Sequence, residues 1–365
     1  MTNVSVYGTI NKMGKGGAFM REFQWSEAYG TLTEPTETDR IASNLTSLWQ
    51  TPQMRDLLAL WSMTDGKNEP LTSDYERFRA LCRMMPYLDG HPVKRYCETL
   101  LQTCFSCTLP PDTAHCDAIW QETAHELLMH PRTVGDLLSK SGSKRYLLWT
   151  DDALPKALPN GLVPELMAER LYATSAISLG AWEEELAALA DCFARYGSNR
   201  IFFEFPNSFE FVSPDPYHVN LALAKEHQTA ADRNLLTSQL FRMICALCIA
   251  RGWGVHLQVG DCAEAAVALL TYAEKSVGLP ELYWSTVSSV TRDTLLAFGY
   301  ATHQNAVLPL LRLCDYPSDV ELQTALSTYA ARYPIGMLHV SYGADLRMEL
   351  AEQARLQSIL ENGKE

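Results

Sequence analysis

His256 and Gln258 are polar residues inside an otherwise apolar run, Gly254-Val255-His256-Leu257-Gln258-Val259-Gly260. They stand two apart, and side chains alternate along a strand, so both fall on one face. An imidazole there could move a proton near neutral pH, and an amide could bind a hydroxyl or a carboxylate. The plainer reading is a buried His and Gln satisfied by neighbouring polar groups. Cys104-Phe-Ser-Cys107 and Cys245-Ala-Leu-Cys248 have a metal-like spacing, with Cys97 and Cys116 near the first pair. Both pairs lie in helical patterns without a Gly or Pro knuckle, so they read as buried thiols. Gly14-Lys15-Gly16-Gly17 does not meet the G-x-x-x-x-G-K-S/T spacing of a phosphate loop.

The elements around this stretch set where its polar residues point. Leu240, Ile244, Leu247 and Cys248 form a broad apolar helical face, which Arg251-Gly252 ends before the strand. A long apolar helix, a glycine turn and a buried strand make the repeating unit of a parallel α/β barrel. In such a unit, polar groups at the carboxyl end of the strand face the ligand mouth. Residues 1–35 read as an irregular, glycine-rich N-terminal arm with the remnant of a first strand. Residues 36–141 read as a helical subdomain without a strand: Ile41, Leu45, Leu48 and Trp49 make one stripe, and Ser73-Asp-Tyr-Glu76 is a capping box. From residue 142 to 365, strands and helices alternate. Arg145–Asp152, Arg200–Phe205, Gly254–Gly260, Leu282–Val287, Val307–Leu313 and Gly336–Ser341 give about six strands.

The net charge of −13 argues against a nucleic-acid backbone or an anionic membrane as partner. No apolar run approaches the roughly 20 residues of a spanning helix. The start has no apolar signal region, so a cytoplasmic chain is expected, with its ten cysteines as thiols.

Several motifs occur in the order of one family. Asn44-Leu-Thr-Ser-Leu-Trp49 is similar to N-L-Y-x-I-W, and Thr64-Asp-Gly-Lys-Asn-Glu-Pro-Leu71 to T-N-G-V-N-E-R-L. Tyr75-Glu-Arg-Phe78 is similar to R-E-K-F, and Met85–Pro92 to V-P-x-x-x-G-N-P. Tyr146–Asp152 resembles a strand ending in T-D-D-P. Ala250-Arg-Gly-Trp253 with Leu257-Gln-Val-Gly260 resembles A-R-R-G-W followed by Q-L-H-I-G, and Gly336-Met-Leu338 resembles the start of G-M-L-T-D-S-R-S. Over residues 40–360 the chain thus resembles the uronate isomerases, the glucuronate/galacturonate isomerase branch of the amidohydrolase-like barrels. That resemblance implies a distorted (β/α)8 TIM-type barrel with a helical insertion subdomain near the N-terminus. It also implies conversion of an aldose uronate to a ketose uronate in hexuronate metabolism. The chain is shorter than the family at both ends and between Phe205 and the long helix.

Moving a proton between C1 and C2 of an open-chain sugar needs a base, a stabiliser for the enediolate and a cation for the carboxylate. The family supplies a divalent metal on an H-x-H at the end of strand one, with a His, a Tyr, two Arg and an Asp. Here the corresponding segment is Ala28-Tyr-Gly-Thr31, and no histidine precedes His91. Leu57 and Leu60 fall where the family's tyrosine and arginine follow, and Gln258 where it has a histidine. His339-Val-Ser-Tyr342 replaces T-D-S-R, and Arg170 lies near the family's W-R-P arginine without that context. The expectation is a dismantled metal site, with no metal and no other cofactor. The pocket candidates are His256, Gln258, His339, Tyr342 and Glu204, together with Asp151, Asp152 and Arg170. A relocated ion on His256, His339, Glu204 and Asp151 is the sharper alternative to polar residues filling a small barrel mouth. The expected function is a uronate-isomerase-like protein that at most binds a small sugar acid. The alternatives are an active sugar-acid enzyme rebuilt on His256, Glu204 and His339, and a purely structural subunit of a homo-oligomer.

Overall fold

All the described strands run parallel and join one sheet. The structure is a computed structural model that describes residues 23–24, 27–30, 52–64, 71, 73–130, 145–150, 158, 162–173, 176–286, 288–302, 307–316, 318–332, 338–341 and 348–362. The strands are β1 (Phe23–Gln24), β2 (Glu27–Gly30), β3 (Arg145–Thr150), β4 (Leu162–Met167) and β5 (Arg200–Glu204). Then come β6 (Gly254–Gln258), β7 (Glu281–Ser285), β8 (Val307–Arg312) and β9 (Leu338–Ser341). Their order is β1-β9-β8-β7-β6-β5-β4-β3-β2, so β1 and β2 end the sheet on its two sides. Only Trp25 and Ser26 lie between those two strands in the chain.

Parallel neighbours need a crossover, and helices supply it here. Between β4 and β9 these are α5 (Leu179–Ala194), α6 (Pro216–Leu223), α7 (Ala230–Arg251), α8 (Ala263–Ser276), α9 (Ser289–Thr302) and α10 (Asp319–Arg332), numbered after the four below, and α11 (Glu349–Asn362) follows β9. The period-two pattern decides the faces. Ile201 and Phe203 of β5, Val255 and Leu257 of β6, and Leu282 and Trp284 of β7 join the main core with Leu240, Phe241 and Ile244 of α7. Phe203 and Phe241 meet at 5.1 Å. On the other face Leu147 of β3, Phe202 of β5 and Leu310 of β8 form a second apolar cluster, with Val163 and Met167 against it.

Between β2 and β3 the described elements are helical. They are α1 (Pro52–Thr64), α2 (Asp74–Met84), α3 (Pro92–Phe105) and α4 (Cys116–Met129). The capping box expected at Ser73 is present: its hydroxyl accepts from Glu76 N–H, and the Glu76 carboxylate accepts from Ser73 N–H. Arg95 of α3 is tied to Glu352 of α11 by Nε and Nη2 at 3.1 and 2.9 Å. All ten cysteines are free thiols, and no helix among the described residues is long and apolar enough to cross a membrane.

Seven described strands follow residue 142, against an expectation of about six. The additional one is β4, Leu-Val-Pro-Glu-Leu-Met, which carries a proline and a charge. Proline donates nothing to a ladder, so it argues against a central strand. Here β5 pairs only with Leu166 and Met167, so Pro164 stands before that ladder begins.

The long helix α7 is well capped. Thr229 Oγ1 accepts from Asp232 N–H, and Asp232 accepts from Thr229 N–H and from Lys225 at 2.7 Å. The Lys225 contact, then the Thr229 bonds, hold the Asp232 carboxyl down at about 2. A depressed carboxyl contributes stability above its unfolded value of about 3.9, and that contribution fades as pH falls towards 2. Asp232→Asn is therefore expected to lower stability by about 0.5–2 kcal/mol at pH 7 and to converge on wild type near pH 2. Urea titrations at both pH values check this; an equal deficit at both would contradict it.

Candidate functional site

The approach to β6 is set by its glycines. Gly252 adopts φ 64°, the left-handed turn that ends α7, and the N–H groups of Gly252 and Trp253 fold back onto Ile249 and Cys248. At the other end, a Cβ on Gly260 would lie 2.1 Å from Asn207 Oδ1, so a larger residue there would have to displace the Asn207 side chain. Between them β6 runs in register, His256 opposite Phe202 and Tyr283, Gln258 opposite Glu204 and Ser285. His256 and Gln258 share a face, as their spacing requires, but stand at different depths.

His256 lies in the deeper layer and is fully enclosed. Its Nδ1 is 3.6 Å from Glu165 Oε2 of β4, itself fully buried, and Phe202 meets the imidazole edge-on at 5.5 Å. Burial pulls the His256 pKa below its usual value, with Glu165 opposing and Arg200 and Arg312 adding to the fall. Burial thus favours the uncharged ring. In the same layer the Arg200 guanidinium sits 3.8 Å over the Tyr283 ring.

The outer layer lies at the carboxyl ends of β5, β6 and β8. Gln258 Nε2 donates to Glu204 Oε1 at 3.0 Å, and Gln258 Oε1 accepts from Arg312 Nη1. Beyond Arg312, Nη2 is 3.5 Å from Cys314 Sγ and 3.8 Å from Asp315 Oδ1. Burial works against the Arg312 cation, but Cys314, Asp315 and Glu204 outweigh it and raise its pKa. Asp315 is raised by burial against the pull of Arg312, and burial lifts the Cys314 thiol to about 12. Ser285, opposite Gln258 in the ladder, has a buried hydroxyl with no hydrogen-bond partner among the described residues. Carboxyl ends of parallel strands are where α/β folds gather their ligand contacts.

Of the sequence candidates, Glu204 and Gln258 come together, with His256 beneath them. Arg170 falls on the 3-10 turn Ala168–Ala173 that directly follows β4, at the same edge of the sheet. The His339 backbone pairs with Leu310 and with Gln24. Asp151, Asp152 and Tyr342 lie outside the described residues. Two residues that the sequence reading passed over are Arg312 and Glu165. Arg312 closes an apolar run as Gln258 does, and that signal was available. Glu165 was hidden with its strand. Among the described residues, no three His, Cys, Asp or Glu side chains group closely enough to hold a metal ion.

No family model and no curated protein matches this chain. Solved structures do. It is similar to a uronate isomerase from Thermotoga maritima at 13% identity, over 92% of this chain and 88% of that one, with a TM-score of 0.69. It is also similar to a glucuronate isomerase from Caulobacter crescentus at 11% identity, over 93% and 86%, with a TM-score of 0.68. The chain thus shares the α/β, parallel-sheet fold of uronate isomerase structures at low sequence identity.

Proposed function

We propose that this chain binds a sugar acid, a hexuronate or a close relative, at the carboxyl ends of β5–β8, with Arg312 as its carboxylate anchor. The observation that carries this is the Glu204–Gln258–Arg312 chain of hydrogen bonds. It combines a planar cation for a carboxylate with amide and carboxylate groups for hydroxyls.

The sheet closes as a (β/α)8 barrel, with Phe23–Gly30 as its first strand and α1–α4 as a helical insertion after it. Two features support closure. β1 pairs with β9 while β2 pairs with β3, and Leu147, Phe202 and Leu310 meet from strands far apart in the sheet order. The barrel binds without a divalent ion. Ala28-Tyr29-Gly30 offers no imidazole, the Gln258 amide is engaged at both ends, and the neighbouring guanidinium repels a cation. Catalysis by His256 has less support than binding, because the ring is enclosed beneath Gln258.

Calorimetry with glucuronate, galacturonate and glucose tests the reading. Either acid is expected to bind, glucose is not, and a chelator should leave the affinity unchanged. Product analysis is expected to find no ketose. Turnover that disappears on chelation, or indifference to both acids, would sink the proposal.

A further inference from the structure

Ser285 closes β7 as Gln258 closes β6, and the two stand directly opposite in the parallel ladder. Leu282 and Trp284 of β7 join the main core, so alternation turns Ser285 to the same inner face as Gln258. Its carbonyl accepts from Val259 N–H at 3.0 Å, which fixes the residue in the sheet. The side chain is 1% exposed, and its hydroxyl has no hydrogen-bond partner among the described residues. Three hydroxyls further along the same turn have structural duties. Thr286 Oγ1 accepts from Ser288 N–H, Ser288 Oγ accepts from Thr291 N–H, and Thr291 Oγ1 donates to the Gly260 carbonyl. A buried hydroxyl left unpaired is a cost that a second state of the site can remove.

Gln258 supplies that second state. Its amide nitrogen donates to Glu204 Oε1 on the β5 side, and its oxygen accepts from Arg312 on the β8 side. β7 lies between β6 and β8, so the bond to Arg312 passes over the strand that Ser285 ends. Ser285 and Arg312 are therefore on the same side of Gln258, and adjacent strands are only about 4.8 Å apart. A tilt of the amide, with its nitrogen still on Glu204, exchanges one donor for the other. We infer that the Ser285 hydroxyl receives the Gln258 amide oxygen when a ligand carboxylate takes Arg312. This rests on the sugar-acid reading and adds to it the residue that lets Arg312 change partners. The displaced oxygen is otherwise left without a donor, and Ser285 offsets that cost. Ser285 acts through Gln258 and is a positioning residue.

Two double-mutant cycles on the full chain test this. The first needs no ligand. Arg312→Met strips the Gln258 oxygen of its present donor, and Ser285 takes it up. Ser285→Ala is expected to leave the urea midpoint unchanged or higher in the wild-type background, since the hydroxyl removed is unpaired. In the Arg312→Met background the same change is expected to lower the midpoint. Arg312→Ala gives the same reading if methionine disturbs the packing. The second cycle is read by calorimetry with glucuronate. Ser285→Ala is expected to weaken binding about fivefold, the worth of one neutral hydrogen bond, and to do nothing once Gln258 is replaced by leucine. Equal midpoint effects of Ser285→Ala in both backgrounds would overturn the inference, whatever binds. Undiminished glucuronate affinity in Ser285→Ala, or an equal loss with and without Gln258, would overturn it too. Absence of glucuronate binding to wild type would overturn the sugar-acid reading instead, and the ligand-free cycle would still decide whether Ser285 receives the amide.

Discussion

Replacing Glu352 with alanine is expected to lower the unfolding free energy by about 3–5 kcal/mol, a large part of a typical domain's stability. Glu352 is fully buried and binds two arginines at once. Its Oε1 accepts from Arg95 Nε and Nη2, and its Oε2 accepts from Arg355 Nη1 at 2.9 Å. Arg355 also reaches Asp319 at 2.7 Å, so the chain of charges runs from α3 through α11 to α10. Removing the carboxylate leaves the Arg95 and Arg355 guanidinium groups without the group that bridges them. Glu352→Gln keeps the shape and loses the charge, so its deficit should be smaller. Urea titrations followed by circular dichroism measure both, and a loss below about 1 kcal/mol in the alanine variant would show the network to be of little consequence.

Arg312→Ala is expected to weaken sugar-acid binding by at least tenfold, about 1.5–3 kcal/mol for a hydrogen-bonded charge contact. Glucose, which is not expected to bind either protein, is the neutral control. Arg312→Lys separates the two properties of the side chain: it keeps the charge and loses the planar fork, so an intermediate affinity is expected. The lysine variant also spares Asp315 and Glu204 the loss of their nearby cation, which guards against reading a folding defect as a binding defect. Calorimetry on all three proteins decides it. Full affinity in Arg312→Ala would move the anchor elsewhere on the same edge, with Arg170 the next position to substitute.

The parts of this fold that local chemistry encodes could be read before any coordinates. Ser73 and Glu76 announced a helix start through their three-residue spacing, and Arg251-Gly252 a helix end. Alternation put His256 and Gln258 on one face, and they share it. Depth was not legible. A period of two says which face a side chain takes but not how far along the strand the ligand edge lies, so enclosed His256 and outer-layer Gln258 looked alike. Contacts between distant segments were equally hidden. Gln258 meets Glu204 and Arg312 across 54 residues on either side, a separation at which sequence periodicity carries no information. β4 was missed for a different reason: Pro164 reads as a strand breaker unless one knows that the β5 ladder starts after it.

The Arg95–Glu352 contact also bears on how the chain is made. Its two ends are 257 residues apart. At roughly 5–20 residues per second, a ribosome needs about 13–50 s to travel that distance. The surface of α3 around Arg95 is thus synthesised early and receives its partner only when α11 emerges. During that interval the helical segment must persist on its own capping and its own buried stripe, from Val93 to Phe105. Completion of the charge network therefore waits for α11, and the surface of α3 around Arg95 is finished only by an element made much later.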